Sequence, residues 1–386
     1  MVKKINVGMV GYKFMGKAHS NAFRQVAVFY DPPHVPVLKA LCGRDEDGVK
    51  NAAARYGWES YETSWKDLVR RDDIDLVDIN TPNSSHAEIA IAAAENGKHV
   101  LLEKPMAMNL AEAKDMAEAV KRAGVKHMVG FNYRSFPALA FAKQIIREGK
   151  IGRVFHFRAL YLQDWIADPE FPLVWRLDRK VAGTGAIGDL GAHIIDMALY
   201  LVGDITAVTA VTETFIEERP LPEVSGGLSA KGSSERGRVT VDDAFVALAR
   251  FKNGALGTFE ATRFAIGHKN WGFFEINGEK GSMRFNLERP NELEYLSADE
   301  GDEQGFKTIL VTNSTHPFMA EWWPPGHVLG WEHTHIIQVY HLLESIGKKG
   351  QPEPSFFDGV KNQAVLEAIG LSAKDGMWHE VEQTVI

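Results

Sequence analysis

Residues 5–16, Ile-Asn-Val-Gly-Met-Val-Gly-Tyr-Lys-Phe-Met-Gly, decide how the first third of the chain is read. Ile5 to Val10 make an apolar run suited to a buried strand, Gly11 to Gly16 a turn, and Lys17 onward a helix. This is the opening of a dinucleotide-binding βα unit, in which the first glycine makes the tight turn and the helix N-terminus receives a pyrophosphate. Gly11 and Gly16 match the glycine fingerprint. Lys13 stands at its middle position, where glycine normally lets the backbone approach the phosphates. Phe14 and Met15 then open the helix beneath that anion.

The units that follow repeat this pattern. After an extended, proline-containing insert from Tyr30 to Pro36, Val37 to Cys42 reads as a second strand and Asp45 to Tyr56 as a helix. The end of that strand is where the adenosine ribose is recognised. Gly43-Arg44 offers room and a cation for a 2′-phosphate, which favours NADP, whereas Asp45 taking the ribose hydroxyls would suit NAD, so the preference stays open. Leu76 to Asn80 is a strand ending in Thr81-Pro82-Asn83, and His86 opens a helix that runs to Asn96. Lys98 to Leu102 is another, ending in Glu103-Lys104-Pro105 before a helix from Leu110 to Ala123, and Lys126 to Phe131 is the last. Strands alternating with helices predict a parallel, doubly wound sheet with its ligand at the carboxyl ends of the strands. A Rossmann dinucleotide-binding domain is therefore expected over 1–130.

From residue 131 the pattern changes. Beyond a linking helix at Pro137 to Glu148, strands are expected at 151–162, 205–216, 244–251, 255–262, 272–276, 281–286 and 293–295, with Asn253-Gly254 as a hairpin turn. Such a run predicts an α+β domain with a large, mostly antiparallel sheet over 131–386. Gln163 to Arg179, rich in Trp, Pro, Asp and Arg, reads as a pocket-lining loop, and Glu217 to Arg238 as a mobile surface excursion without catalytic content. The tail holds a Trp/Pro-rich loop from Glu321 to Gly330 and helices near Glu332 to Ser345 and Phe357 to Asp375.

Within this half lies Gly185 to Gly203, GAIGDLGAHIIDMALYLVG. At about 3.6 residues per turn, Asp189, His193 and Asp196 fall on one face of an otherwise apolar helix. By itself that stripe suits a core histidine bonded to a carboxylate as well as it suits a catalytic group.

In order, the glycine turn, TPNSSHAEIA, HVLLEKP, GFNYR and GDLGAHIIDMALYL resemble the Gfo/Idh/MocA family of NAD(P)-dependent sugar and inositol oxidoreductases, over nearly the whole chain. The segments YLQDW and AGTGAIGDLGAHIIDMA are similar to a branch that oxidises an anhydrosugar of the levoglucosan kind at carbon 3. The resemblance implies that Lys104, Asp189 and His193 act together in catalysis. It places Thr81, Pro82, Asn83, His86 and Glu103 along the cofactor ribose and nicotinamide. It also implies that the closing helix returns toward the nucleotide domain, and that one face of the large sheet joins copies of the chain into a dimer or tetramer.

The chemistry fits those residue types. Taking a hydride from a secondary alcohol requires a base within reach of the hydroxyl. The His193 imidazole, with an unperturbed pKa of ~6.5, suits that task, and Asp189 can bond to substrate or tune the ring. Lys104 can stabilise negative charge on the reacting oxygen. Which group takes the proton first is not fixed by spacing, and Asp196 reads as structural. Tyr133, Gln163, Trp165 and Arg176 offer an aromatic surface and hydrogen-bonding groups for a polyol.

Two other readings compete with a sugar dehydrogenase. One is a redox-neutral glycoside hydrolase or epimerase that keeps its NAD(H) bound and works through a 3-keto intermediate. The other is a non-catalytic dinucleotide sensor, against which the intact Lys104, Asp189 and His193 set argues. Composition narrows the rest. The chain has 386 residues, 45% hydrophobic and 24% charged, and its formal net charge of -8 gives no electrostatic case for nucleic acid. The N-terminus shows no signal-peptide pattern and no apolar run reaches the ~18 residues of a membrane span. One cysteine, Cys42, excludes an internal disulfide, so a cytoplasmic protein is expected. Of the late histidines His316, His327, His333, His335 and His341, the pair at 333 and 335 would point about 200° apart on a helix, and no metal is expected.

Overall fold

The computed structural model describes residues 3–223 and 231–383. Two compact units form, one from residues up to 135 together with 318–360, the other from 136–317 together with those from 361 on.

The first unit opens with β1 (Lys3–Val10), α1 (Phe14–Phe29), β2 (His34–Cys42), α2 (Glu46–Tyr56), β3 (Ser60–Glu62) and α3 (Trp65–Arg70). It continues with β4 (Leu76–Ile79), α4 (His86–Glu95), β5 (His99–Leu102), α5 (Leu110–Ala123) and β6 (His127–Val129). The six strands are parallel in the order β3-β2-β1-β4-β5-β6, the doubly wound arrangement expected of a Rossmann domain. The consecutive residues Val7, Gly8, Met9 and Val10 of the central β1 are all buried, as a strand covered on both faces requires. The proline-containing insert is partly strand: Pro36 lies in β2 opposite Ile5. A proline is tolerated there because β3 pairs only with residues 40–42, leaving the other side of Pro36 outside the ladder. Cys42 ends β2, buried, and burial pushes its thiol pKa up to about 12.

The second unit begins with α6 (Pro137–Arg147), β7 (Val154–Leu162), a short α7 (Arg179–Ala182) and α8 (Ala192–Leu201). Strands β8 (Ile205–Glu213), β9 (Glu218–Pro222), β10 (Gly232–Arg238), β11 (Ala244–Phe251) and β12 (Leu256–Thr262) follow. Then come β13 (Trp271–Gly278), β14 (Gly281–Asn286), β15 (Glu292–Ser297) and β16 (Lys307–Leu310). After them the chain forms α9 (Trp331–Ser345), α10 (Phe356–Asp375) and β17 (His379–Glu380).

Nine strands form one sheet in the order β16-β15-β14-β13-β7-β12-β11-β8-β17. It is antiparallel except where β7 runs parallel to β12. Phe157, Ala159, Phe245, Phe259, Phe274 and Ile276 alternate onto its buried face. Val211, Val246, Leu248 and Leu256 are exposed on the strands. The excursion after β8 carries more structure than expected. β9 and β10 pair as an antiparallel ribbon, and Arg219 is fully buried, donating to the carbonyls of Ile166, Asp168 and Phe171. The tip of that excursion, 224–230, lies outside the described residues.

The Trp/Pro-rich loop and His327, His333, His335 and His341 cluster with the first unit, where α9 packs on α1, whereas His316 falls in the second unit. Aromatic contacts make that attachment. Tyr30 stacks on Tyr340 at 4.2 Å, Phe29 meets Trp322 at 4.2 Å, and the Trp322 indole donates to the Tyr30 hydroxyl at 2.9 Å. Among the described residues, no helix is long and apolar enough to cross a membrane.

Candidate active site

The carboxyl edge of the first sheet is built around the glycine turn. Gly11 has φ +101°, and a Cβ on it would lie 2.4 Å from the Asn80 carbonyl oxygen, so only glycine fits. A Cβ on Gly16 would lie 2.0 Å from the Gly11 carbonyl oxygen, which explains the second glycine. Lys13 has φ -79°, so its position does not need the left-handed conformation that favours glycine. Its side chain is exposed at the N-terminus of α1. Phe14 is exposed too and stacks on Trp331 at 5.5 Å, while Met15 is half-buried.

At the end of β2, Arg44 and Asp45 are both exposed, and the Tyr12 hydroxyl donates to the Asp45 carboxylate at 3.3 Å. Thr81 and Pro82 are half-buried and Asn83 buried after β4. Lys104 is half-buried after β5, and Tyr133 is buried on the turn 132–135.

Two expected cofactor-lining residues face inward. His86 is fully buried, its ring nitrogens 3.0 Å from the Thr81 and Pro105 carbonyl oxygens, so it ties the two turns together from beneath. Burial pushes its pKa down and keeps the ring neutral, so one nitrogen donates to a carbonyl and its partner contact depends on the tautomer. Glu103 is likewise buried, and its carboxylate meets His19 Nε2 at 3.0 Å. His19 Nδ1 in turn lies 2.9 Å from Asp78 Oδ2. Burial opposes charge on this imidazole, but the attraction and hydrogen bonds of Asp78 and Glu103 outweigh it and push its pKa up to about 10. His335 sits beside it, with ring centroids 5.0 Å apart. Burial, reinforced by the His19 charge, holds His335 well below the usual histidine range. His19, Glu103 and His335 place ligand atoms within 4.8 Å of one another, and both ring nitrogens of His19 already face carboxylates.

In the second unit, the helix expected to run unbroken from 185 is a π-turn over residues 187–191 before α8 begins at Ala192. The Asp242 carboxylate causes this local geometry by accepting from the Gly185 and Ile187 amides at 2.7 and 2.8 Å. A Cβ on Gly185 would collide with the Asp242 carbonyl oxygen at 1.7 Å, and one on Gly191 would press on the Phe245 ring at 2.9 Å. The wide turn adds a residue between Asp189 and the regular helix, so the simple i, i+4 stripe is modified at its first member. Asp189 keeps 25% of its side chain exposed, 3.9 Å from the Nη1 of Arg263. His193 is nearly buried, edge-on to Tyr161 with centroids 5.8 Å apart, and Asp196 is buried deeper in α8.

Around these lie two small networks. Tyr161 and Gln163, at the end of β7, both donate to the Asn270 side-chain oxygen, at 2.7 and 2.8 Å. Trp165 meets Phe171 edge-on at 5.3 Å and faces the Arg263 guanidinium at 5.8 Å. Tyr161 thus links Gln163 to His193, and Arg263 links Trp165 to Asp189. Arg176 lies over the Trp175 ring at 4.3 Å. Sequence reasoning missed Tyr161, Asn270, Arg263 and His19. Only Tyr161, inside YLQDW, carried a signal, since the others act through partners far away in the chain.

Arg263 is completely buried; its Nη2 donates to the Asp242 carbonyl at 2.9 Å and lies 3.9 Å from the buried Asp243 carboxylate. Removing it leaves that carboxylate with the weaker attraction of Arg219 and the amides of Phe215 and Ile216. Arg263→Met is expected to cost about 3 kcal/mol of stability in denaturant unfolding, and a loss below about 1 kcal/mol would show that the Asp243 site compensates itself.

The glycine turn at the end of β1 and the six-stranded parallel sheet are those of a dinucleotide-binding Rossmann domain. Residues 5–131 match the oxidoreductase family with an NAD-binding Rossmann fold, and residues 139–284 match the GFO/IDH/MocA C-terminal domain. The chain belongs to the Gfo/Idh/MocA family of oxidoreductases. It is 45% identical to levoglucosan dehydrogenase from Pseudarthrobacter phenanthrenivorans, over 99% of each chain. Among solved structures it is similar to an oxidoreductase domain protein from Kribbella flavida, with 51% identity and a TM-score of 0.94 over 99% of this chain and 100% of that one. A levoglucosan dehydrogenase in complex with NADH and levoglucosan shows 44% identity and a TM-score of 0.94 over the same shares.

Proposed function

We propose that the protein oxidises a ring hydroxyl of a pyranose-type sugar or anhydrosugar, with levoglucosan the leading substrate and carbon 3 the site, giving a keto sugar. The observation that carries this reading lies within the second unit, where Asp189 and His193 stand on a π-turn and helix beside Tyr161, which shares the Asn270 side-chain oxygen with Gln163. Full-length similarity to a levoglucosan dehydrogenase supports the substrate class.

The Gly11 turn and the N-terminus of α1 would hold the pyrophosphate, with Lys13, Phe14 and Met15 beside it. Thr81, Pro82 and Asn83 would lie along the nicotinamide half. A nicotinamide held there would supply the hydride acceptor. His193 takes the hydroxyl proton as carbon gives up the hydride, and the negative charge that drives hydride loss develops on the oxygen. Asp189, held near the Arg263 cation, accepts from a substrate hydroxyl or from the imidazolium that results. Lys104 donates to the reacting oxygen and stabilises its developing charge. Tyr133, Gln163, Trp165 and Arg176 orient the sugar through stacking and hydrogen bonds.

The dehydrogenase names of the relatives leave the redox-neutral hydrolase or epimerase as the weaker reading. One assay separates them. Levoglucosan, glucosides, inositols and free sugars are each incubated with NAD+ and with NADP+, and reduced nicotinamide is followed by absorbance. Levoglucosan is expected to give net reduction; product release without reduction would support the redox-neutral reaction instead.

NAD is the proposed better cofactor, because Tyr12 holds Asp45 at the end of β2, where a carboxylate repels a 2′-phosphate. This reverses the weight first given to Arg44. Asp45→Ser is expected to cut the NAD-over-NADP ratio of kcat/KM by about tenfold or more, and an unchanged ratio would return the choice to Arg44. A cytoplasmic location and a dimer or tetramer joined through the exposed apolar strand residues Val211, Val246, Leu248 and Leu256 complete the reading.

A further inference from the structure

The buried His19 stands on α1, one turn beyond the glycines, and touches the ends of two strands at once. Its Nδ1 reaches Asp78 in β4 at 2.9 Å, and its Nε2 reaches Glu103, just after β5, at 3.0 Å. Glu103 has little freedom. Its amide donates to the Ile79 carbonyl at 3.0 Å, and a Cβ on Gly130 would lie 2.6 Å from its Oε1, so the glycine leaves space for that carboxylate. On the far side of Lys104, the Pro105 carbonyl oxygen lies 3.0 Å from His86 Nδ1. Lys104 therefore sits in a turn flanked by two buried histidines, of which His19 reaches the side chain of its neighbour Glu103.

We propose that His19 is a positioning residue that acts through Glu103 to fix the turn carrying Lys104 against the helix whose N-terminus receives the dinucleotide. This inference rests on the role given to Lys104 above. The groups facing His19 are Asp78, Glu103 and the neutral His335. Asp78 and Glu103 are both buried acids, and without a donor between them they repel each other in a low-dielectric site. The ring cation supplies general stability, whereas the Nε2 donor supplies the placement of Lys104. These two contributions separate experimentally because the two ring nitrogens have different partners.

An asparagine side-chain amide reaches roughly where Nδ1 lies and a glutamine amide roughly where Nε2 lies. His19→Asn keeps a donor for Asp78, and His19→Gln keeps one for Glu103. Both variants lose the imidazolium and are expected to lose similar thermal stability. Their kcat values are expected to part: His19→Asn falls by about 100-fold, the scale of an ångström-size misplacement of a catalytic group, while His19→Gln stays within about fivefold of the parent. The dissociation constant for NADH is expected to change by less than about threefold in both.

Equal kcat in the two variants, whether both low or both normal, would overturn the positioning role. If either variant fails to fold, the same pair is compared in an Asp78→Asn background, where the uncompensated carboxylate is gone. Lys104→Ala is assayed alongside. An inactive Lys104→Ala with equal His19 variants defeats the present inference alone, and a fully active Lys104→Ala defeats the role of Lys104 on which it stands.

Discussion

His193→Ala is expected to lower kcat on the best sugar by about 10³-fold, the range typical of a lost general base. A secondary hydroxyl loses its proton to water very poorly near neutral pH, so without the imidazole the hydride would have to leave a protonated alcohol. Losing the base costs roughly 4 kcal/mol of barrier, given about 1.4 kcal/mol per tenfold. The variant's rate is expected to climb with pH, because solvent base can substitute for the missing ring. NADH affinity is expected to stay unchanged, since His193 lies in the second unit with Tyr161 and Asn362-bound α8. Steady-state rates from pH 6 to 10 provide the check. A variant retaining the parent kcat would remove His193 from the chemistry and leave it as an edge-on partner of Tyr161.

The second large effect belongs to Lys104. Lys104→Met keeps the length of the side chain and removes the ammonium, so it tests charge rather than packing. Losing one pre-oriented donor to a developing oxyanion is expected to reduce kcat by about 10² to 10³-fold. Unlike the histidine variant, this one gains nothing from added solvent base, because the missing function is stabilisation of charge rather than proton removal. Lys104→Arg is expected to recover little, as a planar guanidinium does not reproduce the donor geometry of a compact ammonium. Full rescue by arginine would show that any cation near the turn suffices.

Much of the framework was readable because its signals are local. The helix expected over Leu110 to Ala123 has those ends in the structure: the Asn109 side chain accepts from the Glu112 amide at one end, and Gly124 takes a left-handed φ of +66° at the other. β11 and β14 also match their alternating sequence pattern to the residue. The aromatic attachment of α9 to α1 was not readable, since Tyr30 and Trp322 are 292 positions apart and neither carries a turn or cap signal.

The site divides in the same way. Lys104, Asp189 and His193 stood out as ionisable residues in apolar surroundings or at strand ends. The π-turn under Asp189 did not, because Asp242, which shapes it, belongs to a strand-linking segment 55 positions from Ile187. His86 is placed along the cofactor by the motif resemblance alone, and its ring is fully buried. Its two carbonyl contacts draw it inward. His19 was passed over as one polar residue on a helix, its meaning supplied only by Asp78 and Glu103 from other strands.

The buried Cys42 has a practical consequence of another kind. Its thiol, pushed up to about 12 by burial, offers alkylating reagents almost no thiolate while β2 is in place. As the sole cysteine in the sequence, it makes the native chain silent to maleimides and leaves the surface open for a single introduced label. The same thiol becomes a clock when the sheet opens: the rate at which it takes up reagent in dilute denaturant reports how often β2 leaves the first unit.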